Sequence, residues 1–395
     1  MNNKTAILIG GVIPESMFQE IMDMGSDVDY AANKFQLSFI DGLSKSYEKV
    51  IVISAPLISS FPKANTICFR KKRIRYLPNV DIIITGYVNL PIIKMASKCA
   101  RIFGCLSLVE KEADLLIYSP HSPFLVASYP YLRRLTNNSL IIPDLPEFMA
   151  SKTSKLYLLA KKIDHAIIDF CLKRINSYIL FSSLMSEKVK INGKPCMVME
   201  GIYKNEELEN DAHINTGEKI ILYTGRADER YGIRLLLDAF AEITDPDFRL
   251  YIRGDGSVIE EVNRRSVKDK RIKHIGKLSS KDLKRLQQQA SVLFNPVSSK
   301  EEFTKYFFPS KTMEYLASGT PTVMSRLKCM PKEYESYVFY YDEDTPKAIK
   351  DKIIEVCSLS DEQRKEYGIK ARQFILKEKN ADIQAARVKA FMESL

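Results

Sequence analysis

The sequence predicts an α/β protein of two doubly wound domains facing each other across a cleft. Three observations predict it. The chain has 395 residues, and single hydrophobic cores rarely grow beyond about 250–300 residues. Short β-branched runs alternate with helix-length segments, the pattern of a parallel sheet with crossover helices. The alternation then restarts after a polar, acidic stretch from Lys204 to Glu218, which divides the chain near residue 205.

In the first half, Thr5 to Ile9 reads as a buried strand, followed by Gly10-Gly11 and a helix beginning near Pro14. Val50 to Ser54, Asp81 to Thr85, Asp114 to Tyr118 and Leu140 to Ile142 are compact apolar runs that fit buried parallel strands. Leu90 to Phe103 reads as a helix between them. In the second half, Ile220 to Thr224 leads into Gly225-Arg226 and a helix from Gly232 to Glu242. Arg249 to Ile252 precedes Gly254-Asp255-Gly256, and Ile272 to Ile275 precedes a helix from Ser280 to Ala290. Val292 to Asn295, a helix from Pro309 to Ser318 and Thr322 to Met324 continue the series. Asp361 to Leu395 is charged and helical. The expected domains are 1–205 and 206–377, with a last helix over 378–395 returning to complete the first. In such sheets ligands sit at the carboxyl ends of the strands.

Hydrophobic content of 45% and charged content of 27% suit a globular chain that folds on its own core. The seven cysteines are scattered, odd in number and never spaced C-x-x-C, so neither a disulfide framework nor a zinc site is expected. No apolar run reaches the ~18 residues of a spanning helix, and Ala6 to Ile13 lacks a cleavage pattern. The expected location is the cytoplasm, with attachment to the inner face of the cell membrane as an extension. A net charge of +10 attracts polyanions, but no compact nucleic-acid-binding signature accompanies it, and no nucleic-acid partner is expected. The pairs Asp27/Asp29 and Asp342/Asp344 mimic metal-binding D-x-D motifs and read as solvated loop charges. No metal site is expected.

Ser151 to Asn176 places Leu156, Leu159, Ile163, Ile167, Phe170 and Leu172 roughly on one helical face. Lys155, Lys161, Lys162, Lys173 and Arg174 surround it. Two readings fit: a helix packed on the core with a solvated basic face, or a helix lying in the interface of an anionic membrane.

The chemistry concentrates in Asn295 to Pro321. Pro309 suits a first helical turn, where its missing N–H costs nothing, and Gly319 with Pro321 closes the helix. A helix N-terminus at a strand's carboxyl end attracts anions. Glu314, about one turn in, can accept two hydrogen bonds from a ribose diol. Arg226 and Arg230 lie in the loop between a strand and a helix, where arginines can clamp a pyrophosphate.

The segments GRADERYGIRLLLDAF, GDG, EEFTKYFFPSKTMEYLASGTPTV and RLKCMPKEY resemble the retaining glycosyltransferases of family four, bacterial capsular or exopolysaccharide type. GGVIPES, YAANKFQLSFIDGL, IYSPHSPFL and IPDLPEFM extend the resemblance into the first half. It implies the GT-B fold, two Rossmann-like domains. The implied reaction is retaining, metal-independent transfer from a UDP- or GDP-type sugar, with no cofactor. The implied acceptor is a saccharide, free or linked to a polyprenyl diphosphate. Arg226 matches the family's donor-phosphate arginine. Tyr231 stands where the family has a lysine, and Arg230 beside it can carry that charge. Ser310 and Lys311 fall in the donor-binding FPSK element. Glu314 matches the second glutamate of the family's E-x7-E motif, and Tyr306 replaces the first. Glu301 or Glu302 can take its place toward the sugar, with Glu302 the catalytic candidate. Gly10 and Gly11 resemble the loop that lets the chain approach the donor, with Gly11 the binding position. His121 matches a histidine that contacts the transferred sugar, and Asp144 is a further cleft position. A GT-B sugar-nucleotide epimerase and a basic nucleic-acid-binding scaffold are the competing readings.

Overall fold

The computed structural model describes residues 4–26, 28–107, 112–135, 137–145, 155–204, 217–276 and 278–395. Residues 151–154, 205–216, Asp27 and the end of IPDLPEFM lie outside them. The chain divides into two compact units, Met1–Lys204 with Asn380–Leu395, and Asn205–Lys379.

The strands of the first unit are β1 (Thr5–Gly10), β2 (Lys49–Ser54), β3 (Cys68–Phe69), β4 (Lys72–Leu77) and β5 (Val80–Ile84). They continue with β6 (Tyr87–Val88), β7 (Ala113–Tyr118), β8 (Asn137–Ile142), β9 (Ser177–Leu180) and β10 (Cys196–Val198). Eight of them form one sheet in the order β10-β9-β8-β7-β1-β2-β5-β4. Every residue of β1 and β7 is buried, because both faces of a central parallel strand are covered. The edge strand β4 runs antiparallel to β5. Its alternating cations point to a partly wet face, and Arg73 and Arg75 meet Asp81 at 2.9 and 3.2 Å.

The helices of this unit are α1 (Phe18–Asp23), α2 (Tyr30–Ser46), α3 (Lys94–Leu106), α4 (Ser122–Ser128), α5 (Lys155–Leu172) and α6 (Met185–Lys188). Asp29 starts α2 by accepting the Ala32 N–H at 3.1 Å, so it is a helix cap and not the free loop charge expected from the sequence.

The second unit holds β11 (Lys219–Thr224), β12 (Phe248–Arg253), β13 (Ile272–Ile275), β14 (Val292–Asn295), β15 (Thr322–Ser325) and β16 (Phe339–Tyr341). They pair in parallel in the order β13-β12-β11-β14-β15-β16. Around them lie α7 (Ile233–Ala241), α8 (Ile259–Lys268), α9 (Ser280–Gln289), α10 (Lys311–Ser318), α11 (Pro346–Cys357) and α12 (Asp361–Glu378). Leu236, Phe240, Ile252, Val262 and Ile353 fill one side of the sheet. Leu222, Leu293 and Tyr315 fill the other. The last helix, α13 (Ala381–Glu393), packs on α2 in the first unit. Gly42 permits the contact, since a Cβ there would sit 2.8 Å from that of Ala385.

Both sheets reverse their strand order beside the first strand, and such switch points are where open α/β sheets take ligands. In the first unit the switch lies between β1 and β7, so Gly10-Gly11 and Ser119–His121 flank it. In the second it lies between β11 and β14, flanked by Gly225-Arg226 and Asn295-Pro296.

Candidate active site

At the switch point of the second unit, Tyr315 fastens α10 to the end of β11. Its buried hydroxyl accepts the Thr224 N–H at 2.9 Å and donates to the Thr224 carbonyl at 3.2 Å. One turn earlier on the same helix, the Lys311 side chain lies over Gly225 and fills the space a Cβ would need. Gly225 has φ +148°, a conformation that favours glycine. Burial lowers the pKa of the Lys311 ammonium, the Glu314 carboxylate works against that, and the Arg253 guanidinium adds to it. Lys311, Glu314 and Arg253 therefore share one electrostatic neighbourhood.

Arg253 ends β12 directly beside Thr224 in register. Its Nε is buried and has no hydrogen-bond partner among the described residues, and Nδ2 of Asn295 at the end of β14 is in the same condition. Two orphaned donors and an ammonium at adjoining strand ends make a site for an anion, since an unpaired buried donor costs roughly 1–3 kcal/mol. The next loop stacks closely on Gly225. A Cβ at Gly254 (φ +141°) would overlap the Gly225 carbonyl.

Arg226 points to solvent and gives its Nε to Asp228 at 2.8 Å. Asp228 also accepts the Ser257 N–H at 3.0 Å. That backbone bond first, and the arginines after it, hold its carboxyl below the usual range. Arg230 lies over the rings of Tyr231 and Phe303, 5.0 and 5.8 Å from their centres. Its contacts thus run to the loop before α10. In that loop Glu302 is exposed and paired with Lys305, and Tyr306, where the resemblance expects a carboxylate, is buried. Asp344 anchors the loop's start by accepting from the Ser298 hydroxyl and the Ser299 N–H at 2.8 and 2.9 Å. Asp342 pairs with Arg326 at 2.6 Å. Asp342 stays exposed, as the reading of a solvated charge expects, whereas Asp344 departs from that reading by holding the Ser298–Ser299 turn. Ser310 is exposed at the helix entrance and makes no side-chain capping bond. The helix starts at Lys311 and not at Pro309, because Thr312 N–H turns back to the Pro309 carbonyl at 2.8 Å in a tighter first turn.

In the first unit the glycine loop is already occupied. A Cβ at Gly10 would strike the Gln36 amide, and that amide's oxygen accepts the Gly11 N–H at 3.1 Å. A Cβ at Gly11 would lie 3.0 Å from Leu57. Gln36 of α2 and Leu57 in the loop after β2 thus come close to these glycines. Asn33, one turn before Gln36, holds Ile13 through both its N–H and carbonyl at 2.8 and 2.9 Å.

His121 sits at the start of α4, its ring 5.0 Å from that of Phe124. Burial, assisted by the charges of Lys98 and Lys94 against that of Asp164, pushes its pKa down to about 4. At neutral pH it is an uncharged imidazole offering one donor and one acceptor. Lys94 and Lys98, both buried, hold the loop after β2: Lys94 donates to the Ile58 carbonyl at 2.5 Å and Lys98 to that of Pro56 at 2.8 Å. Asp144 has its pKa raised by burial and then by the charge of Asp29.

Residues 204–374 match the family model of glycosyl transferases group 1. No curated protein matches the sequence. The fold resembles sucrose-phosphate synthase from Thermosynechococcus elongatus, at 14% identity and TM-score 0.68 over 99% of this chain and 98% of that one. It also resembles an alpha,alpha-trehalose-phosphate synthase (UDP-forming) from Burkholderia xenovorans in complex with glucose-6-phosphate, at 10% identity and TM-score 0.66 over 99% and 100%. Anabaena Alr3699/HepE in complex with UDP is similar at 14% identity and TM-score 0.64, over 99% and 100%. The fold is GT-B, with two Rossmann-like domains. The family match covers the unit that carries Arg226, Arg253, Lys311 and Glu314, and it supports a glycosyltransferase.

Arg253, Asn295, Lys94 and Lys98 were not among the residues expected from the sequence. Arg253 carried a usable signal, an arginine closing a strand immediately before Gly-Asp-Gly. The lysines carried none, since lysines four apart on a helix ordinarily mark a wet face.

Proposed function

We propose that this chain transfers a sugar, with retention at the anomeric carbon and without a metal, from a nucleotide-diphosphate sugar to a saccharide acceptor. A lipid-linked acceptor in surface polysaccharide biosynthesis is the setting we infer. The observation that carries the reading is the cationic cluster at the second switch point: Lys311 over Gly225, with Arg253 beside it and two buried donors unpaired. A diphosphate supplies the acceptor oxygens those donors lack, and Arg226 stands at the rim to meet it. Glu314, one turn into α10, takes the ribose hydroxyls. Charge developing on the leaving diphosphate is met by groups already in place, an effect of about 3–4 kcal/mol per key donor. His121, uncharged, and Glu302 are the proposed contacts to the transferred sugar. A UDP-type donor is supported by the UDP named with two of the similar structures.

A thermal-shift panel of UDP- and GDP-sugars tests this. At a donor concentration a hundredfold above Kd, stabilisation of about 2.7 kcal/mol corresponds to a rise of roughly 5–10 °C. Arg253→Ala is expected to remove most of that rise. No response to any donor would overturn the proposal.

A further inference from the structure

The apolar stripe of α5 is bare. Leu159, Ile163, Ile167 and Phe170 follow at helical spacing and are 55%, 55%, 39% and 53% exposed. Leu158 beside them is exposed as well. This overturns the reading of a core-packed helix, although its end is anchored through buried Cys171 and Leu172. The stripe continues into neighbouring elements. The Phe170 ring lies 5.0 Å from Tyr129, and exposed Phe103 of α3 lies 5.4 Å from Tyr131.

Cations border this ridge. Lys162 borders the stripe on the helix surface, Lys173 stands 5.9 Å over Phe170, and the Arg174 guanidinium stacks on Tyr129 at 3.7 Å. At the foot of the helix an open hollow is lined by Arg133, Lys173, Arg174 and Lys194. Of the acids on the helix between Leu158 and Leu172, Asp169 is neutralised by Lys190 at 2.6 Å, leaving Asp164.

We propose that the α5 stripe, the Phe103–Tyr131 and Tyr129–Phe170 ridge and this basic hollow form a docking surface for an anionic phospholipid bilayer. An apolar helix face sinks about 5–10 Å into the headgroup boundary, and aromatic rings favour that level. The lysines and arginines then meet lipid phosphates. Charge decides between occupants: a second copy would bring the same cations against these, whereas an anionic membrane complements them. The surface lies within the first unit and does not depend on how a sugar is transferred.

Sedimentation of the full chain with vesicles tests it. The protein is expected to bind phosphatidylcholine vesicles that contain the anionic lipid phosphatidylglycerol, and not phosphatidylcholine alone. Ile163→Glu with Ile167→Glu, and separately Arg133→Glu with Lys173→Glu, should each weaken binding at least about tenfold. High salt should weaken it through screening. Donor-induced thermal stabilisation should persist in both variants, which separates this inference from the sugar-transfer reading. No binding to the anionic vesicles would overturn it. So would equal binding to both vesicle types, or a wild-type dimer that the variants convert to monomer without any vesicle binding. If the isoleucine variant fails to fold, the arginine–lysine variant and the salt series still decide.

Discussion

Glu314 and Lys311 lie one turn apart on α10, and the Glu314 carboxylate works against the lowering of the Lys311 pKa. A structural role for Glu314 would be to neutralise Lys311, and a binding role would be to hold the ribose diol. The two differ in what a single substitution moves. Charged hydrogen bonds contribute about 1.5–3 kcal/mol each, and 1.4 kcal/mol is tenfold in affinity. Glu314→Ala is therefore expected to weaken donor binding at least about tenfold while the melting temperature stays nearly unchanged, since alanine is a good helix former. Glu314→Gln should be milder. A lower melting temperature with intact donor affinity would assign Glu314 to structure. At this scale the sequence brings forward residues that stand in recognisable elements, as Glu314 and Arg226 do. It did not show that Gln36 approaches Gly10 and Leu57 approaches Gly11, because neither is a neighbour that a local pattern names.

At the scale of elements, the exit of β11 is built so that α10 can reach over it. Gly225 leaves room for Lys311, and Tyr315 ties the helix to Thr224. Gly225→Ala would place a methyl group where Lys311 lies and strain a φ of +148°. The strain alone is of order 1–3 kcal/mol. The variant should fold with a lowered melting temperature and lose donor affinity by more than Lys311→Met does, since it also displaces the loop that carries Arg226. Isothermal titration of both variants checks the order; equal affinities in wild type and Gly225→Ala would show the contact to be incidental. The central strands were legible in the sequence because both their faces are buried, as in β1 and β7. β4 was not, because Lys72 to Leu77 alternates cations with apolar residues at an antiparallel edge. β9 and β10 were not read from the sequence either. The helix α5 was legible as a helix, but its uncovered stripe was readable only as one of two alternatives, since a periodic apolar face normally meets a core.

For the molecule as a whole, the proposed chemistry rests on arginines, a lysine and an asparagine amide. Sugar transfer is accordingly expected to persist in excess chelator, with the anomeric configuration of the donor kept in the product. Complete loss on chelation, restored by Mn²⁺ or Mg²⁺, would mean that a metal carries the leaving group. The two-unit plan was readable because the strand–helix rhythm restarts after residue 218. The strand orders were not readable, since pairing between distant strands leaves no local trace.

The return of α13 to α2 has a consequence for the order in which the protein can be made. Ala385, Val388 and Met392 belong to the core built around β1 and β2, yet they are translated after every strand of the second unit. While the ribosome is still adding residues 205–379, Gly42 and its neighbours on α2 have nothing to cover them. The nascent first unit thus waits, with an apolar groove open to other chains, until the segment from Ala381 to Met392 clears the exit tunnel. The unit encoded first is the one finished last.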